Sequence, residues 1–375
     1  MIFRRCLFSL LVIGLAGCSS ERTGPGPAAL ITFQPSAKMS VRWQQNVGSM
    51  EQQVLRPAVT REGVYAVNAS GRLSRFERDS GKRGWRIDSG FEISGGVGAG
   101  EGLVLLGGSK GELAAYAEDT GKQRWKVSVS SEVLSAPQIA EGIVLVRTGD
   151  GRITALSAKD GSRQWVYEHS TPTLVVRSYA GVTIQGMEVY AGFAAGKLVA
   201  ISLDKGNIIW ESSISQPRGN TELERISDIT SPPVVQDRQI CAVAFQGRIG
   251  CLDAEQGSTQ WSRDLSSDKG MALSRGTLFV TDADGAVIAL DKSSGSSLWK
   301  NEQLLRRITT APFVLDDFVI LGDMEGYLQV LRREDGALAA RFFTDGSAIL
   351  TAPVLLGEGM LVQTEKGMLY SLAIH

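Results

Sequence analysis

One skeleton recurs along almost the whole chain: SGRLSRFERDSGKRGW, KGELAAYAEDTGKQRW, DGRITALSAKDGSRQW, AGKLVAISLDKGNIIW, QGRIGCLDAEQGSTQW and DGAVIALDKSSGSSLW. A seventh copy, EGYLQVLRREDGALAA, lacks the tryptophan, and an eighth, KGMLYSLAIH, runs to the last residue. The first glycines are Gly71, Gly111, Gly151, Gly196, Gly247, Gly285, Gly326 and Gly367. A second glycine follows ten residues later in seven copies, and a tryptophan fourteen residues after the first in six. Periods near 40 residues belong to solenoids, propellers or arrays.

The segments between the glycines choose among these. Leu73 to Phe76, Ile153 to Leu156 and Val287 to Leu290 are short, rich in residues that suit a pleated surface, and bounded by turn signals. Another such run precedes each first glycine, and a proline-bearing segment precedes that, as at Ala136-Pro137, Pro232-Pro233, Ala311-Pro312 and Ala352-Pro353. Each unit is therefore predicted as four strands, A to D. Proline is tolerable in strand A only if A is an edge, which places it innermost. The first glycine is predicted in the B-to-C turn with positive φ, and the second in the C-to-D turn. Trp85, Trp125, Trp165, Trp210, Trp261 and Trp299 fall on strand D, where an indole can fill the space between blades while its N–H finds a backbone acceptor. Trp43, in VRWQQNV, looks like a strand D without its A, B and C, whereas the last unit has A, B and C without D. Joining them closes a ring, so the expectation is an all-β, eight-bladed propeller whose last blade uses both ends of the chain.

Composition agrees with many tight turns: 43 glycines, 11 prolines and only 7% aromatic residues. A net charge of -1 supplies no field that would draw the protein to nucleic acid. The body contains only His169 and His375, each read as a lone surface histidine, and no His or Cys cluster has metal-ligand spacing. Gly107-Gly108-Ser109-Lys110-Gly111 matches G-x-S-x-G but falls in a repeat hairpin, not at the strand-to-helix turn a nucleophile elbow needs. Asp150, Asp160, Asp282 and Asp284 recur at turns, which argues for turn chemistry. No catalytic, cofactor-binding or metal-binding residue is assigned.

The N-terminus, MIFRRCLFSLLVIGLAGCSS, has a basic start, a short apolar run and small residues before a cysteine. That is the form of a secretory signal. Leu15-Ala16-Gly17-Cys18 resembles the bacterial lipobox, in which the cysteine is lipidated and becomes the first mature residue. Ser19 behind it resembles an outer-membrane address. The expected organisation is a signal at 1–17, a lipidated flexible tether at 18–40 containing Gly24-Pro25-Gly26-Pro27, and the propeller at 41–375, anchored on the periplasmic side of the outer membrane. Cys241 and Cys251 flank one hairpin in an oxidising compartment. A two-residue turn at Gln246-Gly247 would pair 241 with 252, out of register for a bridge, so two buried reduced thiols are expected.

Function in a repeat protein lies where the units differ. Successive first glycines are separated by 40, 40, 45, 51, 38, 41 and 41 residues, so two adjacent intervals carry extra sequence. Trp165 to Gly196 spans 31 residues and Trp210 to Gly247 spans 37, against 26 in the two preceding units. Both insertions precede strand B, so they lengthen D-to-A loops that emerge on one face. The first holds Thr173-Leu-Val-Val-Arg-Ser178, the second Ser215 to Thr230 with mixed charge. An apolar anchor rimmed by Arg and Asp suits a protein interface.

The lipobox, the eight units and the loop ISQPRGNTELERISDITSPP together resemble the BamB family of lipoproteins of the outer-membrane β-barrel assembly machinery. The resemblance implies a non-enzymatic scaffold that binds the periplasmic POTRA domains of BamA and assists unfolded outer-membrane proteins toward insertion. Carried over by motif, the BamA-contacting positions are Leu174, Val176, Arg177 and Asp228, with Arg177 and Asp228 expected exposed. Where the family pattern has a further aspartate, this chain has Thr230. Alternatives are a polysaccharide- or cell-wall-binding propeller and a quinone-dependent dehydrogenase. The latter resembles the chain in its tryptophan repeat, but such enzymes carry adjacent cysteines and an acidic calcium cluster that are not found here.

Overall fold

The computed structural model describes residues 26–375, so the signal and Cys18 lie outside the described residues. Eight four-stranded antiparallel sheets are formed, seven from consecutive strands. Blade 1 comprises Ala58–Val59, Val64–Val67, Arg72–Phe76 and Arg83–Asp88. Blades 2 to 7 follow in chain order. Blade 8 takes Val354–Leu356, Gly359–Gln363 and Met368–Ile374 and is completed by Met39–Asn46, with Met39 opposite Ile374 and Asn46 opposite Met368. The ring closes between the two ends of the chain, as the split eighth unit implies.

Neighbouring A strands touch around the axis, which confirms A as the inner edge. Buried apolar side chains fall into eight clusters, one between each pair of adjacent blades. The sheets pack face to face because strands B and C are apolar on both faces, as in Ile143–Arg147 and Arg152–Ser157 of blade 3.

The seven tryptophans lock this packing. Trp43, Trp85, Trp125, Trp165, Trp210, Trp261 and Trp299 donate their indole N–H to the carbonyls of Arg78, Glu118, Ala158, Leu203, Ala254, Lys292 and Arg333, each in the C-to-D turn of the next blade. The ring lies on that blade's second glycine: a Cβ on Gly161 would stand 2.8 Å from Trp125 Cε3, and one on Gly206 2.6 Å from Trp165. The second glycine thus has two duties, a left-handed backbone and room for the preceding blade's indole.

The interface between blades 7 and 8 has no tryptophan, because blade 8 has no covalent C-to-D turn to receive one. Residues 26–38, which sequence places in the tether, run from the loop joining blades 6 and 7 along strand D of blade 7 to this seam. Ser36 and Ala37 donate their amides to Ala339 O, Arg341 Nη1 donates to Ile31 O, and the Arg341 guanidinium lies 5.2 Å from the Phe33 ring centroid. At the loop joining blades 6 and 7, Ala28 donates to Leu305 O while its own carbonyl accepts from Arg307 Nη1 at 3.0 Å. Arg307 is itself buried against Asp323, whose carboxylate also accepts from Gln329 and from the Glu325 and Tyr327 amides. Such a buried pair is tolerated because the remaining lone pairs are satisfied.

Two expectations about turns are corrected in blade 5. The B-to-C turn holds three residues between the paired positions Ala244 and Arg248, so Cys241 faces Cys251 directly, and the two form a disulfide with Cα atoms 4.0 Å apart. A three-residue turn ending in a left-handed residue is the repeat's general form, and it moves the register by the one step a two-residue turn had withheld. Seven of the eight first glycines have positive φ, as at Gly71 and Gly151, but Gly247 does not; Gln246 takes the left-handed conformation there, with φ 50°.

Candidate interaction surface

Both insertions are D-to-A loops: residues 169–182 join blades 3 and 4, and residues 214–233 join blades 4 and 5. They lie side by side, held by a backbone network. Asp228 Oδ2 accepts the Val176 amide at 2.8 Å and Oδ1 accepts the Ala195 amide at 3.0 Å. Ala195 is left-handed, φ 55°, in the B-to-C turn of blade 4. The Asp228 carbonyl accepts the Phe245 amide of blade 5, Ile229 donates to Phe193 O, and Ser178 Oγ donates to Thr230 O. One carboxylate therefore ties together the first loop, the second loop and a turn of blade 4.

The expectation that Asp228 is exposed is corrected, since it is only 5% exposed. A buried carboxylate is costly unless its charge is met by donors, and here backbone N–H groups on both oxygens meet it. Thr230 is also buried. The residues that do face solvent are Leu174, 41% exposed, with Val175 beside it and Val176 half-buried. Arg177 is exposed, its side chain at 59%, and pairs at 2.9 Å with Glu132 in the loop between blades 2 and 3. An exposed pair of this kind adds at most about 1 kcal/mol, so the guanidinium is readily available to another carboxylate.

Sequence reasoning missed the tip of the second loop. Thr221-Glu-Leu-Glu224 is a capping box, legible as T-x-x-E. The Thr221 hydroxyl accepts the Glu224 amide at 3.2 Å, and Glu224 Oε2 accepts the amides of Asn220 and Thr221 at 2.8 and 3.1 Å. Those backbone donors hold the Glu224 carboxyl below the usual carboxylate range. The turn displays Leu223, 66% exposed, between Arg218 and Arg225.

Below the first loop, His169 is not the surface residue expected: its ring stacks on Phe193 with centroids 4.5 Å apart. Arg147 lies 4.7 Å from the same phenyl ring, and its burial lowers the guanidinium pKa to about 10. Among the described residues no three His, Cys, Asp or Glu side chains converge as ligands for a metal ion, and no helix is long and apolar enough to cross a membrane.

Residues 69–301 match the family described as outer membrane protein assembly factor BamB. The chain is 45% identical over 369 residues to the outer membrane protein assembly factor BamB of Pseudomonas aeruginosa, covering 97% of each chain. It is 38% identical over 390 residues to that of Nitrosomonas eutropha, covering 99% of this chain and 95% of the relative. Among solved structures, BamB from Moraxella catarrhalis superposes with a TM-score of 0.83 at 25% identity, over 90% of this chain and all of that one. The quinohemoprotein alcohol dehydrogenase of Comamonas testosteroni shares the fold with a TM-score of 0.74 at 14% identity, over 89% of this chain and 76% of its own. At 14% identity the dehydrogenase likeness shows the fold alone, whereas the sequence matches to the assembly factors cover 97–99% of the chain, and the chain belongs to the BamB family of non-enzymatic outer-membrane protein assembly factors.

Proposed function

We propose that this chain is a lipid-anchored scaffold on the periplasmic side of the outer membrane, binding the POTRA domains of BamA through the two inserted loops and assisting barrel proteins toward insertion. The observation that carries the reading is Asp228 beneath the loops: it joins Val176 of one to the backbone of the other and so holds exposed Leu174 and Arg177 as one preformed surface. Leu174 and Val175 supply the apolar anchor, Arg177 a cation at its rim, and Asp228 acts from underneath by fixing their backbone. Cys18 carries the lipid, the outgoing chain continues to the segment held on blade 7, and the disulfide suits an oxidising compartment. Unfolded barrel proteins are the further partners on this reading.

Binding of purified BamA to the full lipoprotein tests it. Leu174→Asp and Arg177→Glu are expected to weaken binding tenfold or more with no change in thermal unfolding. Asp228→Ala is expected to weaken it as much while also loosening both loops. Full binding by all three variants overturns the assignment. Palmitate labelling that survives Cys18→Ala would remove the anchor from the proposal.

A further inference from the structure

Two departures from the eightfold repeat fall on one hairpin. Blade 5 alone has a cross-strand disulfide among the described residues, and its cysteines stand five residues on either side of Gln246. Blade 5 is also the one whose first glycine gives up the left-handed position, which passes to Gln246. A side chain in that conformation is strained, and strain of this kind persists where surrounding contacts demand it.

Those contacts lead to the second loop. The Gln246 amide N–H donates to Ser266 Oγ at 2.9 Å, which fixes the backbone. With its side-chain amide oriented to donate, Gln246 reaches Leu223 O at 3.1 Å and Ile226 O at 3.2 Å. These carbonyls belong to the end of the capped turn, where Leu223 O otherwise accepts the Ile226 amide at 3.4 Å, and the last carbonyls of a short helical turn need donors from outside it. Gly247 keeps its glycine for a different reason from the other blades. A Cβ there would stand 2.6 Å from both Ser215 Oγ and Ser227 Oγ, the hydroxyls that bond each other at 2.8 Å across the neck of the loop. The hairpin therefore seats the neck on Gly247 and holds the tip with Gln246.

We infer that Gln246 is a positioning residue: strained on a disulfide-stapled hairpin, it sets the turn 221–226 so that Leu223 is presented to the partner as a second apolar anchor beside Leu174. The half of the inference that concerns the partner rests on the docking reading above. The half that concerns the loop does not.

The test uses the full lipoprotein in detergent and purified BamA. Gln246→Gly keeps a residue at ease with positive φ and removes the amide. Backbone hydrogen exchange over 219–228 is expected to rise tenfold or more, while exchange in the blades is unchanged and affinity for BamA falls about tenfold. Leu223→Ala should lower affinity comparably without changing exchange, and the double variant should lose little more than either alone. Unchanged exchange over 219–228 in Gln246→Gly overturns the positioning role. Raised exchange with full affinity in both single variants overturns Leu223 as an anchor, and if Leu174→Asp still weakens binding, the docking face stands without this loop.

Discussion

The indole of Trp210 lies so close over Gly257 that a Cβ on the glycine would stand 2.6 Å from Trp210 Cδ2 and Cε3. Six further tryptophan–glycine pairs repeat this relationship around the ring. Each joins the strand D of one blade to the C-to-D turn of the next, so the repeat's two most regular residues meet across a blade interface rather than within a blade.

Gly257→Ala should therefore do more than strain a turn. The left-handed conformation alone costs an alanine about 1–2 kcal/mol, and displacing a packed indole adds about 1–3 kcal/mol. Gly142 offers the control, with φ 72° and no atom within 4 Å of where an alanine methyl would stand. Urea denaturation should show Gly142→Ala losing only the smaller amount; equal losses at both sites would mean that the indole contact contributes nothing.

Blade 7, whose strand D has no tryptophan, is covered instead by residues 26–38. Phe33 is partly buried there, packed against the apolar cluster between blades 6 and 7, and its ring faces the Arg341 guanidinium. Phe33→Ala is expected to lower stability by about 1–2 kcal/mol, from lost apolar burial and a cation–π contact. Deleting residues 26–36 should lower the unfolding temperature further and raise hydrogen exchange first at Leu338–Phe343. Exchange that rises evenly around the ring would contradict a local seal.

Reduction of the Cys241–Cys251 bond is expected to lower stability by about 2–3 kcal/mol, the loop-closure value for its short span. Both cysteines are fully buried, so native protein should resist dithiothreitol and react only as it unfolds. Thiol titration with and without urea checks this directly. Rapid labelling of the native state would show that the hairpin opens.

Acid should weaken the ring through its C-to-D turns. Asp291 is held below the usual carboxylate range by the Ser293 and Ser294 hydroxyls and by their amides, and Asp160 likewise by Ser162. Because the folded-state pKa is depressed, the stabilisation is present above the unfolded value of about 3.9 and is lost as pH falls through the folded value. Urea midpoints should be flat above about pH 5 and fall below about pH 4. Asp291→Asn should reduce that slope; an unchanged slope would place the acid sensitivity elsewhere.

Much of the ring was legible because its causes are local. Gly151, Gly161 and Trp165 recur at spacings set by strand length and turn chemistry, and Trp43 could be recognised as a strand lacking its blade. Asp160 was readable as a turn residue for the same reason. The candidate surface was legible only as a place. Interval lengths located both loops, but they carried no sign that Asp228 is buried, that Leu223 is exposed, or that Gln246 replaces a glycine's conformation. The capping box from Thr221 to Glu224 did carry such a sign, in residues three apart.

By itself, then, the sequence determined the number of blades, their closure and which two loops break the pattern, since each follows from periodicity along the chain. Only the tertiary structure decided what those loops present. The bond from Val176 to Asp228 spans 52 residues and that from Arg307 to Ala28 spans 279, and contacts at such separations leave no period or motif to read. They arise because closing the ring brings one blade's loop over its neighbour's turn, where unpaired backbone groups must find partners.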